Sequence, residues 1–247
     1  MSAIRYTLLA LVSILLLWQI IIILTKPPTY ILPSPFEVLI AFKDNYFLIY
    51  KHAVTTLTEI LFGLVIGVIL GSLTALMLVT SKLLQSLLKP ILLFSQALPV
   101  FAIAPVLTLW LGYGIISKIV MAILIIYFPV TSSFYDGLNQ IPKGYSDLAR
   151  ILKGKKFRVL IFIKIPHALP SLFSGIRLAA VYAPIGAIIG EWVGSSDGLG
   201  YLMLLANGRV KTELLFASLL TLGLMSVSLY GMTNYVLFIL SKRFKIL

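Results

Sequence analysis

The chain has 247 residues, of which 60% are hydrophobic and 11% charged, and its mean hydropathy is +1.06. Soluble domains are roughly 45–50% apolar and about 25% charged, so this composition excludes an ordinary soluble domain and indicates an integral membrane protein. The chain has no cysteine and two histidines, which excludes disulfides, thiolate metal sites and a catalytic thiol and disfavours a multi-histidine metal site.

Six stretches are long and apolar enough to predict membrane-spanning helices, giving an all-α membrane protein. They cover residues 6–25, 60–80, 90–113, 119–135, 178–190 and 214–241. Pro99 and Pro105 lie inside the third stretch and predict a kinked or broken span. The fifth stretch is short, so we expect it to extend back across Arg177 or forward past Glu191.

Lysine and arginine are distributed unevenly between the connecting segments. With the N-terminus inside, the cytoplasmic segments contain 14 basic residues and the outer segments 6, whereas six of the eight acidic residues lie outside. This bias predicts an N-in, C-in topology in the cell membrane. The net charge of +12 fits topology signals and contact with membrane lipid better than nucleic acid, because the charges flank apolar runs. We expect two regions, 1–57 with the first span and outer loop, and 58–247 with a five-helix core containing the cytoplasmic loop 136–170.

Two predicted spans carry glycines at four-residue spacing. Such faces let helix backbones approach closely, within one chain, between subunits or along a narrow pathway. The glycines are Gly63, Gly67 and Gly71 in the second span and Gly186, Gly190 and Gly194 in the fifth.

Two acidic residues, Glu59 and Glu191, lie at the edges of predicted spans. Ionisable residues in membrane proteins commonly face the interior or a pathway, but water is near at an edge. Glu191, Trp192 and the fifth-span glycines are therefore candidate pathway or gate residues. The alternatives are a helix-end hydrogen bond for Glu191 and an interface anchor for Trp192.

Residues 136–177 form the longest segment outside the predicted spans. A short helix is expected here, with Leu148, Ile151 and Leu152 on one face and Gly154 at its C-terminal end. A second amphipathic stretch, 157–164, is expected to end at Pro166. A short helix with an apolar stripe and a basic rim suits either a groove on a partner protein or the lipid surface.

This loop resembles the EAA loop of binding-protein-dependent ABC importer permeases. The family pattern is Glu-Ala-Ala, then a glycine, an isoleucine and Leu-Pro, and here Ala149, Ile163 and Pro166 match it. The sequence departs from the pattern in four places. Asp147 replaces Glu, Leu148 replaces Ala, Lys153 stands at the glycine position with Gly154 beside it, and Ile165 replaces Leu.

Other segments are similar to the nitrate, sulfonate and taurine branch of these permeases, so the resemblance runs from about residue 30 to the end. They are residues 34–35, 97–99, 170–177, 190–192 and 198–201. Residues 183–217 most resemble permeases for the hydroxymethylpyrimidine precursor of thiamine.

The resemblance implies a type I importer with two permease subunits, two ATPase subunits and an external substrate-binding protein. One gene product would supply both permease copies, and a small polar solute would cross between them. ATP and Mg²⁺ would be bound by the ATPase, leaving no cofactor, metal or catalytic residue in this chain. The implied ATPase-coupling residues are Asp147, Leu148, Ala149, Arg150, Ile151, Leu152, Lys153, Gly154, Ile163, Ile165 and Pro166.

The residues themselves agree that the energy source lies elsewhere. The sequence contains no Gly-x-x-x-x-Gly-Lys-Ser/Thr phosphate loop and no clustered nucleophile or paired carboxylates typical of a membrane enzyme. A stand-alone secondary transporter would need an ion-coupling site, and the centres of the predicted spans lack Asp and Glu. The broken third span keeps that alternative open.

Overall fold

The computed structural model describes residues 2–142, 144–145, 149, 151 and 154–243, with side chains for residue 9 and from residue 12 onward. Every regular element in this part of the chain is helical. The elements are α1 (Ser2–Thr25), α2 (Pro35–Asp44), α3 (Tyr46–Thr80), α4 (Lys82–Ala97), α5 (Val100–Leu111), α6 (Ile115–Asn139), α7 (Lys156–Val159), a π-helical turn (Leu160–Lys164), α8 (Ile165–Gly194), α9 (Leu199–Gly208) and α10 (Thr212–Arg243).

Four helical stretches within the described residues are long and apolar enough to cross a membrane, and α4 with α5 supplies a fifth if the pair is one broken span. They are α3, α6, the continuous 39-residue stretch Lys156–Gly194, and α10. Helix α3 begins about four turns before the predicted span 60–80. The count of six spans, the N-in, C-in orientation and the division at residues 57/58 stay predictions.

The kink or break predicted within residues 90–113 is confirmed as a sharp bend. Helices α4 and α5 meet at an angle of 103°. Leu98 is extended, as the residue before a proline prefers, and Pro99 stands at the start of α5. The direction of the chain therefore changes at Leu98 and Pro99, whereas Pro105 lies within α5.

Contacts divide the chain into two units, and α3 and α10 pass through both. The first unit contains the residues up to Thr55 and Ser196–Leu224. In it, the Thr212 hydroxyl donates to the Tyr30 carbonyl at 2.8 Å. His52 lies in α3, where its buried Nδ1 accepts the Gly198 N–H at 3.0 Å.

The second unit contains Thr56–Ser195 and Met225–Leu247, and α6 is its central helix. Glycines of α3 and α8 pack directly against α6. A Cβ atom added to Gly63 would lie 2.6 Å from the Ala122 Cβ, and one added to Gly186 would lie 2.5 Å from the Ala122 Cα. Both glycine faces therefore make helix contacts within the chain. Around them lies an apolar core of Ile60, Leu64, Ile126, Val130, Ala179, Ala180, Ala183, Ala187 and Leu229.

Candidate functional site

The predicted coupling segment is described at Ala149 and Ile151 and continuously from Gly154. The Gly154 N–H donates to the Ala149 carbonyl at 2.9 Å, five residues back. This bond is typical of a helix C-terminus and agrees with the helix-ending role predicted for Gly154. Five predicted coupling residues lie outside the described residues, namely Asp147, Leu148, Arg150, Leu152 and Lys153.

The prediction that the second amphipathic stretch ends at Pro166 is wrong. Helix α7 continues through the π-helical turn, which contains Ile163, into α8, whose first two residues are Ile165 and Pro166. The Ile165 N–H donates to the Leu160 carbonyl, five residues back. Because proline has no N–H and its ring crowds the preceding turn, the wider π turn lets the helix continue through Pro166.

The segment is anchored on one side and exposed on the other. Leu160 and Ile165 pack against a buried core of Ala75, Phe134, Leu138 and Ala168. Ile151, Phe157 and Phe162 are exposed large apolar residues, and Phe157 is 70% exposed. An exposed apolar surface on an anchored segment is typical of a surface that a partner covers. We call the following residues the docking face: Ile151, Lys155, Lys156, Phe157, Arg158 and Phe162.

A second candidate site is a buried polar cluster shared by α3, α6 and α8. The Lys118 Nζ lies 3.2 Å from the Glu59 Oε1, and the Thr56 hydroxyl donates to the Glu191 Oε1 at 2.6 Å. The four residues are each at most 5% exposed. Thr56 and Glu59 lie three residues apart, on one face of α3, so the cluster is continuous. Each of the three helices is thereby joined to another through a polar contact.

The cluster contains two carboxyl groups and one ammonium group. Glu59 and Glu191 are close enough to interact electrostatically, and Lys118 supplies a positive charge beside them, 3.2 Å from Glu59. Charge interactions are much stronger in a dry interior than in water, and an unbalanced buried charge is strongly destabilising. Lys118 is therefore the central residue of this cluster.

The structure separates the residues proposed as a pathway or gate. Glu191 belongs to the buried cluster, whereas Trp192 is exposed. Gly190 lies against the Lys118 backbone and stem, and Gly194 lies against Thr108 of α5. Within the described residues, the glycine face of α8 is thus in direct contact with α6 and α5. A pathway or gate role for these residues stays a prediction.

Sequence reasoning missed Lys118 and underestimated Glu59. Lys118 is one of the six basic residues that the charge count assigns to the outer segments, and both glutamates lie at the edges of predicted spans, where water is near. One signal was available, since Lys118 and Glu59 are lone charges beside long apolar runs. What the sequence could not supply was their pairing across two helices.

A helical chain with several spans, a buried polar cluster and an exposed docking face has the features of a multi-pass membrane transport subunit. Residues 63–246 match the family described as the binding-protein-dependent transport system inner membrane component. The chain belongs to this family, and it is an inner-membrane permease of the ABC importer type.

Individual relatives agree with this assignment. The chain is 48% identical over 224 residues to a probable ABC transporter permease of Haemophilus influenzae, covering 91% of both chains. It is 33% identical over 219 residues to the formylaminopyrimidine transport permease of Halalkalibacterium halodurans, covering 87% of this chain and 86% of the relative. Among solved structures, an amino acid ABC transporter with histidines is similar at a TM-score of 0.66 and 15% identity. That match covers 83% of this chain and 97% of the other, and it shows the fold.

Proposed function

We propose that two copies of this permease assemble with two copies of an ABC ATPase and receive solute from an external binding protein. The docking face would lie in a groove of the ATPase, and nucleotide binding there would move the permease helices. The observation that carries this proposal is the exposed apolar and basic docking face backed by Leu160 and Ile165. Physical principles support it because burial of exposed aromatic residues favours docking and basic residues steer an acidic partner.

We further propose that the solute is a small polar pyrimidine related to the precursor of thiamine. Two lines support it, the likeness of residues 183–217 to hydroxymethylpyrimidine permeases and the similarity to the formylaminopyrimidine permease of H. halodurans. The alternative is a nitrate-, sulfonate- or taurine-type solute, which the likeness of segments 170–177, 190–192 and 198–201 to that branch favours. ATP and Mg²⁺ belong to the ATPase subunit in this proposal.

The assembly is tested by mild-detergent purification of the tagged chain, with mass spectrometry of the proteins that accompany it. An ATPase subunit in near-equal amount is expected. In a second preparation, Ala149→Asp places a charge in the coupling segment, and we expect membrane insertion to persist while ATPase association and solute uptake are lost. Normal ATPase association in this variant would contradict the coupling role, and a chain that purifies alone even after crosslinking would favour a stand-alone transporter.

The solute is tested with labelled hydroxymethylpyrimidine and formylaminopyrimidine in vesicles that contain the full importer and its binding protein. ATP-dependent uptake should be competed by unlabelled pyrimidine and left unchanged by taurine, an alkanesulfonate or nitrate. Competition by the anions alone would favour the alternative solute class without affecting the proposed assembly.

A further inference from the structure

A cavity of about 550 Å³ lies between α8 and α10 in the second unit. The rings of Phe173, Tyr235 and Phe238 form much of its wall, and Arg177 and Asn234 contribute polar groups. This volume is typical of a site for a small ligand or a headgroup. Tyr235 is 66% exposed, so the cavity opens at the side of the helix pair in the described chain.

Arg177 contributes a cation to this cavity, and no described acidic residue forms an ion pair with it. Its Nε is buried and has no hydrogen-bond partner, and none of the ion pairs among the described residues includes it. A guanidinium group has five N–H donors in a planar fork that matches the oxygen atoms of phosphate or carboxylate groups. An arginine within an apolar helix is expected to face a partner of opposite charge.

A second cation lies next to a residue of the cavity wall. The Lys242 Nζ lies 4.5 Å from the centroid of the Phe238 ring, which lines the cavity, and Arg243 follows in the last turn of α10. The described residues that line the cavity include no acidic side chain. The cavity is therefore electropositive, and Ser241 of its lining lies in the last turn of α10.

We propose that this cavity binds the phosphate-bearing headgroup of an anionic membrane phospholipid. Arg177 donates hydrogen bonds to the phosphate oxygens, Lys242 adds positive charge beside the wall, and the aromatic wall contacts the glycerol and the first acyl carbons. A lipid fits the observations better than a soluble anion because the cavity lies between two membrane helices and opens sideways. Basic pockets between spanning helices are recognised sites for anionic headgroups. The assignment is independent of the transported solute.

The test compares purified permease complex in nanodiscs of phosphatidylglycerol and of phosphatidylcholine. We expect a higher midpoint of thermal unfolding in phosphatidylglycerol and, by native mass spectrometry, retained phosphatidylglycerol after detergent extraction. Removing one cation should lower phosphatidylglycerol retention about five-fold. The variants that test this are Arg177→Gln and Lys242→Gln. Arg177→Lys keeps the charge and is expected to keep part of the phosphatidylglycerol retention. Arg209→Gln, in the first unit, is the charge-matched control.

Equal midpoints and equal retention in the two lipids would overturn the proposal, as would unchanged retention in both cation variants. If Arg177→Gln does not fold, phosphatidylglycerol retention by Lys242→Gln tests the proposal. Lys242 is exposed at a helix end, so its replacement should not prevent folding. Inorganic phosphate and taurine are added to the detergent-solubilised complex as the soluble alternatives. If they stabilise the wild type and not Lys242→Gln, while phosphatidylglycerol has no effect, the cavity is a soluble-anion site and the lipid assignment is wrong.

Discussion

The ammonium group of Lys118 lies 3.2 Å from a carboxylate oxygen of Glu59, and the two side chains are 6% and 0% exposed. Lys118 is on α6 and Glu59 on α3, so one ion pair joins two membrane helices. Thr56 extends the connection from α3 to Glu191 of α8. The pair thus lies where three of the long helices of the second unit meet.

Lys118→Met should be strongly destabilising because it leaves two buried carboxyl groups without their cation. Removing one partner of a buried pair costs about 3–5 kcal/mol, and we expect a large fall in the midpoint of thermal unfolding in detergent. Lys118→Met combined with Glu59→Gln should recover part of the loss. The control is Lys51→Met, because Lys51 is 65% exposed and its pair with Asp197 spans 3.9 Å. Equal stability of the two single variants would contradict a central role for Lys118.

Thr56→Val should lower the free energy of unfolding by about 1–3 kcal/mol. It removes the hydroxyl that donates a hydrogen bond to the buried Glu191 carboxyl group and keeps the shape of the side chain. The neighbouring Thr55→Val is the matched control, because the Thr55 hydroxyl donates to the Lys51 carbonyl of its own helix in an exposed position. Denaturation in a mild detergent series measures both variants. A smaller loss for Thr56→Val than for Thr55→Val would be inconsistent with the cluster.

Gly186→Ala and Gly223→Ala should change stability in opposite directions. At Gly186 the added Cβ would lie 2.5 Å from the Ala122 Cα, which is a backbone atom and cannot rotate away. Helices α6 and α8 must therefore separate, which should lower the free energy of unfolding by about 1–3 kcal/mol. At Gly223 in α10, no described residue lies within 4 Å of the added Cβ, and alanine is favoured over glycine in a helix by roughly 0.8–1 kcal/mol. The midpoint of thermal unfolding checks both signs.

Phe157→Asp should weaken association with the ATPase at least ten-fold while leaving the fold intact. Phe157 lies on the docking face and is 70% exposed, so a charge there costs little in the free chain but is unfavourable in an apolar interface. Phe36→Asp is the control, because Phe36 is 71% exposed in the first turn of α2, where an acidic residue is tolerated. Co-purified ATPase per permease is the quantity to compare. Equal amounts from the two variants would exclude Phe157 from the interface.

Much of the helical architecture could be predicted because apolar length and proline position are local signals. Thr25 ends α1 and Thr80 ends α3 as the spans predict, and the break at Leu98 and Pro99 follows from the backbone restriction that proline imposes. The contact of α3 and α8 with α6 was one of three interpretations of the glycine spacing. Glycine spacing alone indicates that a helix can approach another helix closely, but it does not identify the neighbouring helix.

The buried cluster could not be predicted because its members are far apart in sequence and each has a simpler local explanation. Lys118 counts as a topology signal, and Glu59 and Glu191 stand at apparent span ends. The continuation of the helix through Pro166 was missed for a related reason. Proline usually marks a boundary, and a π turn that accommodates it carries no simple sequence pattern.

The separation of the cluster along the chain also affects biogenesis. Glu59 is synthesised about 60 residues before Lys118 and more than twice as far ahead of Glu191. At a synthesis rate of about 5–20 residues per second, Lys118 follows Glu59 by roughly 3–12 s. During that interval an unpaired carboxyl group in hydrocarbon is energetically unfavourable. Helix α3 is therefore expected to settle at full depth only when α6 emerges beside it, which makes insertion of this unit cooperative across helices rather than sequential.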